Sequence, residues 1–478
     1  MKLKKITAGV ATAVASSGVF ALPATTTPDM EVFVSGASAQ DNALKLLFAD
    51  LCVAGTLDTY LDNKGGTKLG KAHSAYFCTI DASKVTGMAS NQNVLFHKRS
   101  AGGSGQGVQP VADSAPIEAM MINNGNCTAT GTANEFECTV TNPGDTAMKV
   151  SDAGISDVEP GLFVAPNVPA GFTPVTAAQL AKLVITSQTA VVFGEPVSLN
   201  LRNALQTAQF GSGSACIGDD SEACMPSLTR EQIASLHSGQ IKTWDQFSIN
   251  GTPLPQVSGV VAPAADFGGK HFVNICRRVE GSGTQAQHNA KFLGVPCVAG
   301  SAPPLTLGHP LNGPTVTLNS GSGDVEVCLN DANANGKWAV GLQATEKNST
   351  LTSNYRFIKV DGVAPTLKNV AEGKYFDWVE NSIQWRNAAN NGPSGDMLAL
   401  LQTIAKNAGS PTIVKQLNTK FVHPFGQAGY LALSSNGHAP SVPFNATTNP
   451  VNPYSHVIGG AVNNCRVPQT STISDIQM

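Results

Sequence analysis

The segment Arg277-Arg278-Val279-Glu280-Gly281-Ser282-Gly283-Thr284 lies between a predicted strand and a predicted helix, and it sets the pattern for the rest of the chain. The residues before it, His271–Cys276, form an apolar run that is typical of a strand. The residues after it carry apolar side chains at helical spacing and stop at Gly294. The segment therefore predicts a strand, a Gly/Ser turn and a helix in succession.

A turn of this kind is suited to binding an anion. The first turn of a helix has free backbone N–H groups, and the helix dipole favours negative charge there. Arg278, just before the turn, adds a guanidinium that can bind a tetrahedral oxyanion with two hydrogen bonds. On this segment alone, an ordinary strand–turn–helix with surface arginines is an equally good interpretation, because short Gly/Ser motifs are common.

The same pattern occurs near the start of the chain. Glu31–Val34 predicts a strand, Ser35-Gly36-Ala37-Ser38 a turn, and apolar residues at i, i+3, i+4 and i+7 predict the helix that follows. Ser38, with Asp41 three residues later, resembles a capping box. Ser38 is thus either an anion ligand or only a helix cap.

A third occurrence lies within residues 93–111. The apolar Val94–Phe96 precedes Ala101-Gly102-Gly103-Ser104-Gly105-Gln106-Gly107-Val108. Pro110 follows closely, so any helix here is short or begins late. Three anion-capable turns exceed what a merely loop-rich composition would produce.

Composition limits the classes of protein that fit. The chain has 478 residues, of which 42% are hydrophobic and only 13% charged, with 47 Gly and 28 Pro. This length predicts two or three compact units in an α/β protein. The formal net charge of −3 gives no global basic field, so binding to nucleic acid or to an anionic membrane is not expected.

The N-terminus has the pattern of a secretory signal peptide over residues 1–21. Lys2, Lys4 and Lys5 are followed by an apolar stretch, and Val19-Phe20-Ala21 offers a cleavage site. The first cysteine is Cys52, so a lipid anchor is not expected. We expect a periplasmic or secreted protein.

The ten cysteines agree with export. None forms C-x-x-C or a zinc-like cluster with histidine, so disulfides are predicted and no metal site is expected. Cys127–Cys138 and Cys216–Cys224 are the favoured pairs, and the first would close an insertion near residues 123–148.

Other chemistries find little support. No G-x-S-x-G, H-E-x-x-H or Walker A pattern is present, so no catalytic residue is assigned and no cofactor is expected. Asp331–Gly336 imitates the start of a calcium loop, but its twelfth position is Leu342, and a hairpin turn is predicted instead. His288 is expected on the outer face of the helix after the anion turn.

Taken in order, these features resemble the phosphate-binding proteins of bacterial phosphate ABC transporters, the PstS-like class of type 2 periplasmic binding proteins. The resemblance spans roughly residues 32–385 and rests on six segments: Gly36-Ala37-Ser38, Gly103–Val108, Ser156-Asp157, Leu228–Trp244, Arg278–Thr284 and Asp361–Tyr375. It implies an α/β fold of two lobes with a hinge and a ligand cleft.

The resemblance also implies a ligand set. Its members come from both lobes and would bind phosphate: Ser38, Ala39, Ser104, Asp157, Arg278, Ser282, Gly283 and Thr284. Asp157 would discriminate between anions, because a carboxylate facing an anion is tolerated only when the ligand carries a proton, as hydrogen phosphate does and sulfate does not. Two residues depart from the family pattern: Ala39 replaces an aromatic residue, and Glu280 replaces the usual Asp.

The predicted layout has two lobes and a tail. Residues 27–198 and 341–460 form lobe 1, residues 199–340 form lobe 2, and residues 461–478 form the tail. The hinge crossovers are expected near Val197–Leu201 and Ala339–Leu342.

The predicted function is capture of inorganic phosphate, or a similar tetrahedral oxyanion, by an exported monomer that serves an ABC permease. The alternatives are an exported surface protein that keeps the fold without the ligand, and a secreted phosphohydrolase.

Overall fold

The computed structural model describes residues 26–64, 69–441 and 443–472. The predicted signal peptide, residues 1–21, lies outside this part of the chain, as do the last six residues of the predicted tail. Among the described residues, no helix is both long enough and apolar enough to cross a lipid bilayer.

The fold is a mixed α/β architecture with two lobes, each built on its own sheet. The larger sheet (the large sheet) has eleven strands in a path, in this spatial order: Val451–Asn452, Tyr430–Leu433, Leu183–Gly194, Trp378–Arg386, Ala153–Ser156, Met30–Gly36, Gln92–Arg99, His73–Ile80, Asp58–Asp62, Glu135–Cys138 and Cys127–Ala129. A twelfth strand, Gln343–Ala344, pairs with Leu183–Gly194. The predicted α/β class and two-lobed architecture are confirmed.

The second sheet (the small sheet) has five strands. In spatial order they are Thr315–Asn319, Asn274–Arg278, Ala339–Gly341, Pro196–Ser198 and Tyr355–Phe357. The strand before the Gly/Ser turn of the opening segment is Asn274–Arg278. It begins three residues later than the apolar run His271–Cys276 predicts. Tyr355–Phe357 belongs to this sheet although it follows the predicted range 199–340.

Six short two-stranded ladders complete the β-structure. They pair Pro116–Met120 with Thr146–Val150, Ser227–Leu228 with Lys359–Val360, Ser248–Ile249 with Thr252–Pro253, Val422–His423 with Gly426–Gln427, Tyr454–Ser455 with Gln469–Thr470, and Val457–Ile458 with Ala461–Val462.

Ten α-helices lie around the sheets in the part of the chain that the structure describes. They are α1 (Asp41–Leu51), α2 (Gln109–Ala112), α3 (Ala177–Leu180), α4 (Leu199–Phe210), α5 (Arg230–His237), α6 (Gly283–His288), α7 (Ser322–Ala334), α8 (Leu367–Ala371), α9 (Gly395–Ala408) and α10 (Pro411–Asn418). Helix α6 continues as a π-helical turn, Asn289–Leu293, which ends at left-handed Gly294 as predicted. The Thr229–Gln232 capping box of α5 is also present as predicted.

The apolar side chains that recur at helical spacing in α1 pack against the large sheet. Leu44 and Phe48 are buried in one cluster with Phe96 of the large sheet and with Leu400 and Ile404 of α9. Burying a side chain of this size contributes about 1.5–3 kcal/mol. This packing fixes α1 and the turn that precedes it.

The chain passes between the two sheets at two adjacent points. Glu195 connects Leu183–Gly194 of the large sheet to Pro196–Ser198 of the small sheet, and Leu342 connects Ala339–Gly341 back to Gln343–Ala344. The two crossing strands lie side by side, because Val197 pairs with Val340.

Disulfides join all ten cysteines. Both favoured local pairs, Cys127–Cys138 and Cys216–Cys224, are confirmed. The long-range pairs are Cys52–Cys78, Cys276–Cys328 and Cys297–Cys465. The hairpin within the predicted insertion near residues 123–148, Cys127–Ala129 with Glu135–Cys138, extends one edge of the large sheet.

The calcium-like segment does not form the predicted hairpin. Asp331–Ala334 is the last turn of α7, and Gly336 follows the helix in the left-handed conformation. The prediction was wrong because the Asn/Gly-rich composition marks the end of a helix here rather than a β-turn.

Candidate functional site

The three Gly/Ser turns of the sequence analysis lie where parallel strands of the two sheets end, together with a fourth turn, Ser320-Gly321, between Thr315–Asn319 and α7. Met30–Gly36 runs parallel to Gln92–Arg99 and to Ala153–Ser156, so the turns after these strands lie at one edge of the large sheet. Asn274–Arg278 runs parallel to Thr315–Asn319 in the small sheet. The carboxyl edge of a parallel sheet is the usual place for a ligand site in open α/β folds.

The turn after Gln92–Arg99 touches the turn of the opening segment directly. The N–H of Gly105 donates to the carbonyl oxygen of Gly281 at 2.7 Å. A β-carbon placed on Gly283 would lie 2.3 Å from the hydroxyl of Ser104. Glycine is therefore required at position 283 for the two lobes to approach this closely.

Asp157 connects the lobes through hydrogen bonds. Its Oδ2 accepts from the hydroxyl of Thr284 at 3.1 Å, and its backbone N–H donates to the hydroxyl of Ser104 at 3.1 Å. Burial raises the pKa of Asp157, while the charge of Arg278 and the Thr284 hydroxyl oppose this rise. Asp157 is 2% exposed, so its carboxylate is buried where the two lobes meet.

Arg278 is fully buried, and its guanidinium contacts the turn between Thr315–Asn319 and α7. Its Nη2 donates to the carbonyl of Ser320 at 2.8 Å and its Nε to the carbonyl of Asn319 at 3.2 Å. Nη1 donates to the hydroxyl of Ser322 at 3.4 Å. Burial lowers the pKa of Arg278 to about 10, and Asp157 opposes that shift. The guanidinium therefore stays charged at neutral pH.

The neighbouring Arg277 points elsewhere. It donates through Nη1 to the carbonyl of Leu305 at 2.8 Å and through Nη2 to Glu280 at 3.3 Å. Glu280 thus pairs with the first arginine of the segment and not with Arg278.

Ser38 faces the small-sheet lobe. Its hydroxyl lies 3.3 Å from the hydroxyl of Ser322, which also accepts from Arg278. Ser38 is not the helix cap that the capping-box pattern indicates, since the residue before α1 is Gln40 and makes no side-chain cap. The hydroxyl of Ser38, which a capping box would direct to the backbone of α1, contacts Ser322 instead.

The remaining predicted residues are buried close by but differ in role. Ser282 caps α6 by accepting from the N–H of Gln285 at 3.3 Å. Ala39 is buried in an apolar cluster with Ala286, and its carbonyl accepts from Tyr430 at 2.6 Å.

Two groups of predicted residues therefore emerge. Direct contacts link Ser104, Asp157, Gly283 and Thr284, and Ser322 links Ser38 to Arg278.

Several polar residues at the site were missed from the sequence. Ser322 follows Asn319-Ser320-Gly321, which is a fourth strand–Gly/Ser–helix unit and could have been recognised by the same pattern. Buried Lys98 forms an ion pair with Asp41 at 3.1 Å and donates to the carbonyl of Ala37 at 3.0 Å. A lysine inside a strand gives no local signal for this role.

Three buried polar atoms at the site lack a well-formed hydrogen bond with the described residues: Asp157 Oδ1, Gln40 Nε2 and Gln343 Oε1. Gln40 lies near enough to Asp157 to lower its pKa, and Gln343 donates through Nε2 to the carbonyl of Ser322 at 2.7 Å. Leaving such atoms unpaired costs about 1–3 kcal/mol each. Donors and acceptors are thus available to a small polar ligand from both lobes.

A groove of about 250 Å³ leads to the contact between Ser38 and Ser322. Lys45, Lys71 and Lys347 lie on its walls. Asp41 also lines the groove, Lys71 pairs with Asp324, and Lys347 pairs with Glu346 at 2.6 Å, so much of this positive charge is balanced.

Comparison with protein-family models gives no match, and comparison with curated protein sequences gives none either. Among solved structures, the fold is similar to a putative phosphate ABC transporter substrate-binding protein with bound phosphate from Clostridium perfringens, at 12% identity and a TM-score of 0.43, covering 84% of this chain and 99% of that one. It is also similar to an ABC-type phosphate transport receptor from Vibrio cholerae, at 11% identity and a TM-score of 0.38, covering 81% and 98%. A human phosphate-binding apolipoprotein matches at 14% identity and a TM-score of 0.34, covering 78% and 90%.

Proposed function

We propose that the protein binds inorganic phosphate between its two lobes. The observation that carries the proposal is that Arg278 shares Ser322 with Ser38 and lies near enough to the buried carboxylate of Asp157 for each charge to shift the other's pKa. The guanidinium and hydroxyls donate to phosphate oxygens, and the glycine-rich turns add backbone N–H groups.

Asp157 supplies the selectivity of the proposed site. Its Oδ1 is a buried acceptor without a well-formed hydrogen bond, and the proton of hydrogen phosphate satisfies it. Sulfate brings no proton, so it leaves the acceptor unpaired and meets a like charge.

In this proposal the protein is exported and delivers phosphate to an ABC permease as a monomer. The signal-peptide pattern and the disulfides support export, because disulfides persist in oxidising compartments. The ligand contacts are noncovalent, and no catalytic role is assigned to any of the residues.

One observation favours a second candidate, a surface protein that keeps the fold without a transport role. In the sequence, Cys297 lies between Asn274–Arg278 and Thr315–Asn319, two strands of the small sheet. Its disulfide partner, Cys465, follows Val451–Asn452, the last strand of the large sheet along the chain. A covalent link between the lobes restricts the opening that a transport protein uses to load and release its ligand.

Calorimetric titration with phosphate, then with sulfate, tests the main proposal. We expect phosphate to bind with micromolar or tighter affinity and sulfate to bind far more weakly. Arg278→Lys keeps the charge but loses the planar fork, so it should weaken phosphate binding on the order of 100-fold. The matched control is Arg277→Lys, which alters the adjacent buried arginine and should leave affinity nearly unchanged. A folded parent that gives no heat with either anion would refute phosphate binding and support the second candidate.

A further inference from the structure

Three titratable side chains meet in the interior, away from the proposed phosphate contacts. Glu195 is the residue that connects the large sheet to the small sheet at the first crossover. His237 lies in the last turn of α5, and His288 is the last residue of α6. Each is at most 2% exposed, so the expectation that His288 lies on an outer helix face is wrong. All six residues of α6 are buried. Most of them are polar, so the sequence of the helix does not indicate this burial.

The geometry of the cluster leaves polar atoms unpaired. His237 Nε2 lies 2.8 Å from Glu195 Oε1, which is a hydrogen bond. His288 Nε2 lies 3.7 Å from Glu195 Oε2, which is too long for one. Glu195 Oε2 and both ring nitrogens of His288 have no hydrogen-bond partner among the described residues. Burying polar atoms in this state is costly unless something else binds them.

We propose that Glu195, His237 and His288 bind one divalent transition-metal ion and that zinc is its occupant. One ligand atom from each residue lies within 4.8 Å of the other two. Ligand atoms around a tetrahedral zinc ion at about 2.0–2.1 Å lie about 3.4 Å apart. The nitrogen–oxygen separations to Glu195, 2.8 Å from His237 to Oε1 and 3.7 Å from His288 to Oε2, lie on either side of that spacing. Two imidazoles and one carboxylate are a zinc-binding set, and the ion would satisfy Glu195 Oε2 and His288 Nε2 together.

The surroundings favour zinc over a metal that needs several open positions. The ring of Phe292 stacks on His288 at 4.7 Å, and the two imidazole rings lie 4.2 Å apart. This close ring packing disfavours a metal that needs several open coordination positions, whereas zinc in proteins is usually four-coordinate.

The site has a clear structural role in this arrangement. It would join the interlobe crossover, through Glu195, to the helix that begins at the opening Gly/Ser turn. Zinc binding would therefore hold α6 against the crossover whether or not an anion is bound. The inference does not depend on the proposed phosphate function, because none of the three residues belongs to the predicted ligand set.

The test measures zinc directly in phosphate-free buffer. Full-length secreted protein is produced with added zinc, dialysed against a weak chelator and analysed by mass spectrometry of the metal. We expect one zinc per chain in the parent. His288→Gln should weaken zinc binding on the order of 100-fold and lose the metal on dialysis. His271→Gln is the matched control, because His271 pairs with Asp245 at 2.8 Å away from the cluster and should retain one zinc per chain.

X-ray absorption at the zinc edge of the parent protein makes the test independent of variant folding. Two imidazole nitrogens and one carboxylate oxygen at about 2.0–2.1 Å are the expected first neighbours. A parent with no stoichiometric zinc, equal zinc in parent and His288→Gln, or a zinc environment without two imidazoles would each overturn the proposal.

Discussion

The hydroxyl of Thr284 donates to the carboxylate of Asp157 at 3.1 Å, and this bond joins α6 of the small-sheet lobe to the large-sheet lobe. The bond occupies Oδ2 only, and Oδ1 remains a buried acceptor. The two oxygens of one carboxylate are thus divided between holding the lobes together and facing the proposed ligand. This division makes Asp157 the residue on which anion selectivity depends.

The first prediction concerns Asp157→Asn. The amide can donate a hydrogen bond and carries no charge, so sulfate should bind more tightly, on the order of 100-fold. Titration with sulfate in parallel with phosphate measures this change in selectivity. Asp152→Asn is the control, since Asp152 accepts from the N–H of Phe33 at 2.8 Å and makes no contact with the turns. Unchanged sulfate affinity in Asp157→Asn would contradict the assigned role.

The same residue predicts a pH dependence. Burial raises the pKa of Asp157, so its carboxyl takes up a proton at a higher pH than usual and can then donate to sulfate. Sulfate affinity of the parent should rise as pH falls, and that of Asp157→Asn should stay nearly constant. Sulfate is the better probe because phosphate itself changes charge near neutral pH. A parent whose sulfate affinity is flat with pH would argue against a titrating Asp157 in the site.

The next prediction tests the contact between the lobes at Gly283. A methyl group there would lie 2.3 Å from Ser104 Oγ and 2.8 Å from the β-carbon of Asp157, so the turns must separate. Gly283→Ala should weaken phosphate binding at least 10-fold, because the groups of the two lobes no longer converge. Gly161→Ala has no atom closer than 4.0 Å and serves as the control. Equal affinities in calorimetry would show that the close approach is dispensable.

Local patterns predicted the elements around the site well. The Gly/Ser turns, the Thr229 cap and the stop at Gly294 are each decided by neighbours within a few residues, and all are present. The pairs Cys127–Cys138 and Cys216–Cys224 were predictable for the same reason, because they close short loops.

Features that depend on distant partners were not predictable in this way. Ser38 binds Ser322 across 284 residues instead of capping α1. His288 is buried because Glu195 and His237 come to it from other elements. The spacing of residues in a helix predicts which side chains share a face. It does not predict which distant parts of the chain pack against that face.

The disulfide between Cys297 and Cys465 leads to a prediction about lobe movement. Replacing both residues with serine should lower the free energy of unfolding by roughly 2–4 kcal/mol, because a loop of 168 residues is released. The ligand-free protein should also become more extended, since the tether between the lobes is lost. Denaturant unfolding and small-angle scattering measure the two effects.

The control for this prediction removes a disulfide within one lobe. Cys216 and Cys224 are only 8 residues apart, so their replacement should cost less stability and leave the scattering profile unchanged. If both double variants scatter as the parent does, then the Cys297–Cys465 bond does not limit opening.

The final prediction concerns Asp377, a fully buried carboxyl that accepts a hydrogen bond from Gln287. Burial raises its pKa to about 7; Lys291 opposes this shift and Glu195 adds to it. Between pH 3.8, the ordinary pKa of an Asp carboxyl, and about pH 7, the folded state holds a proton that the unfolded state has lost. Stability contributed by this group therefore falls as pH rises through that window.

Asp377→Asn removes this titration while keeping an acceptor for Gln287. The melting temperature of the variant should equal that of the parent near pH 4 and exceed it increasingly up to about pH 7, with a constant difference above. Calorimetric melting from pH 4 to 8 measures the trend. Asp331→Asn changes an exposed carboxyl and should give no such trend. A difference between Asp377→Asn and the parent that is independent of pH would mean that the folded protein accommodates the charged carboxylate of Asp377 without cost, and that Lys291 fully compensates its burial.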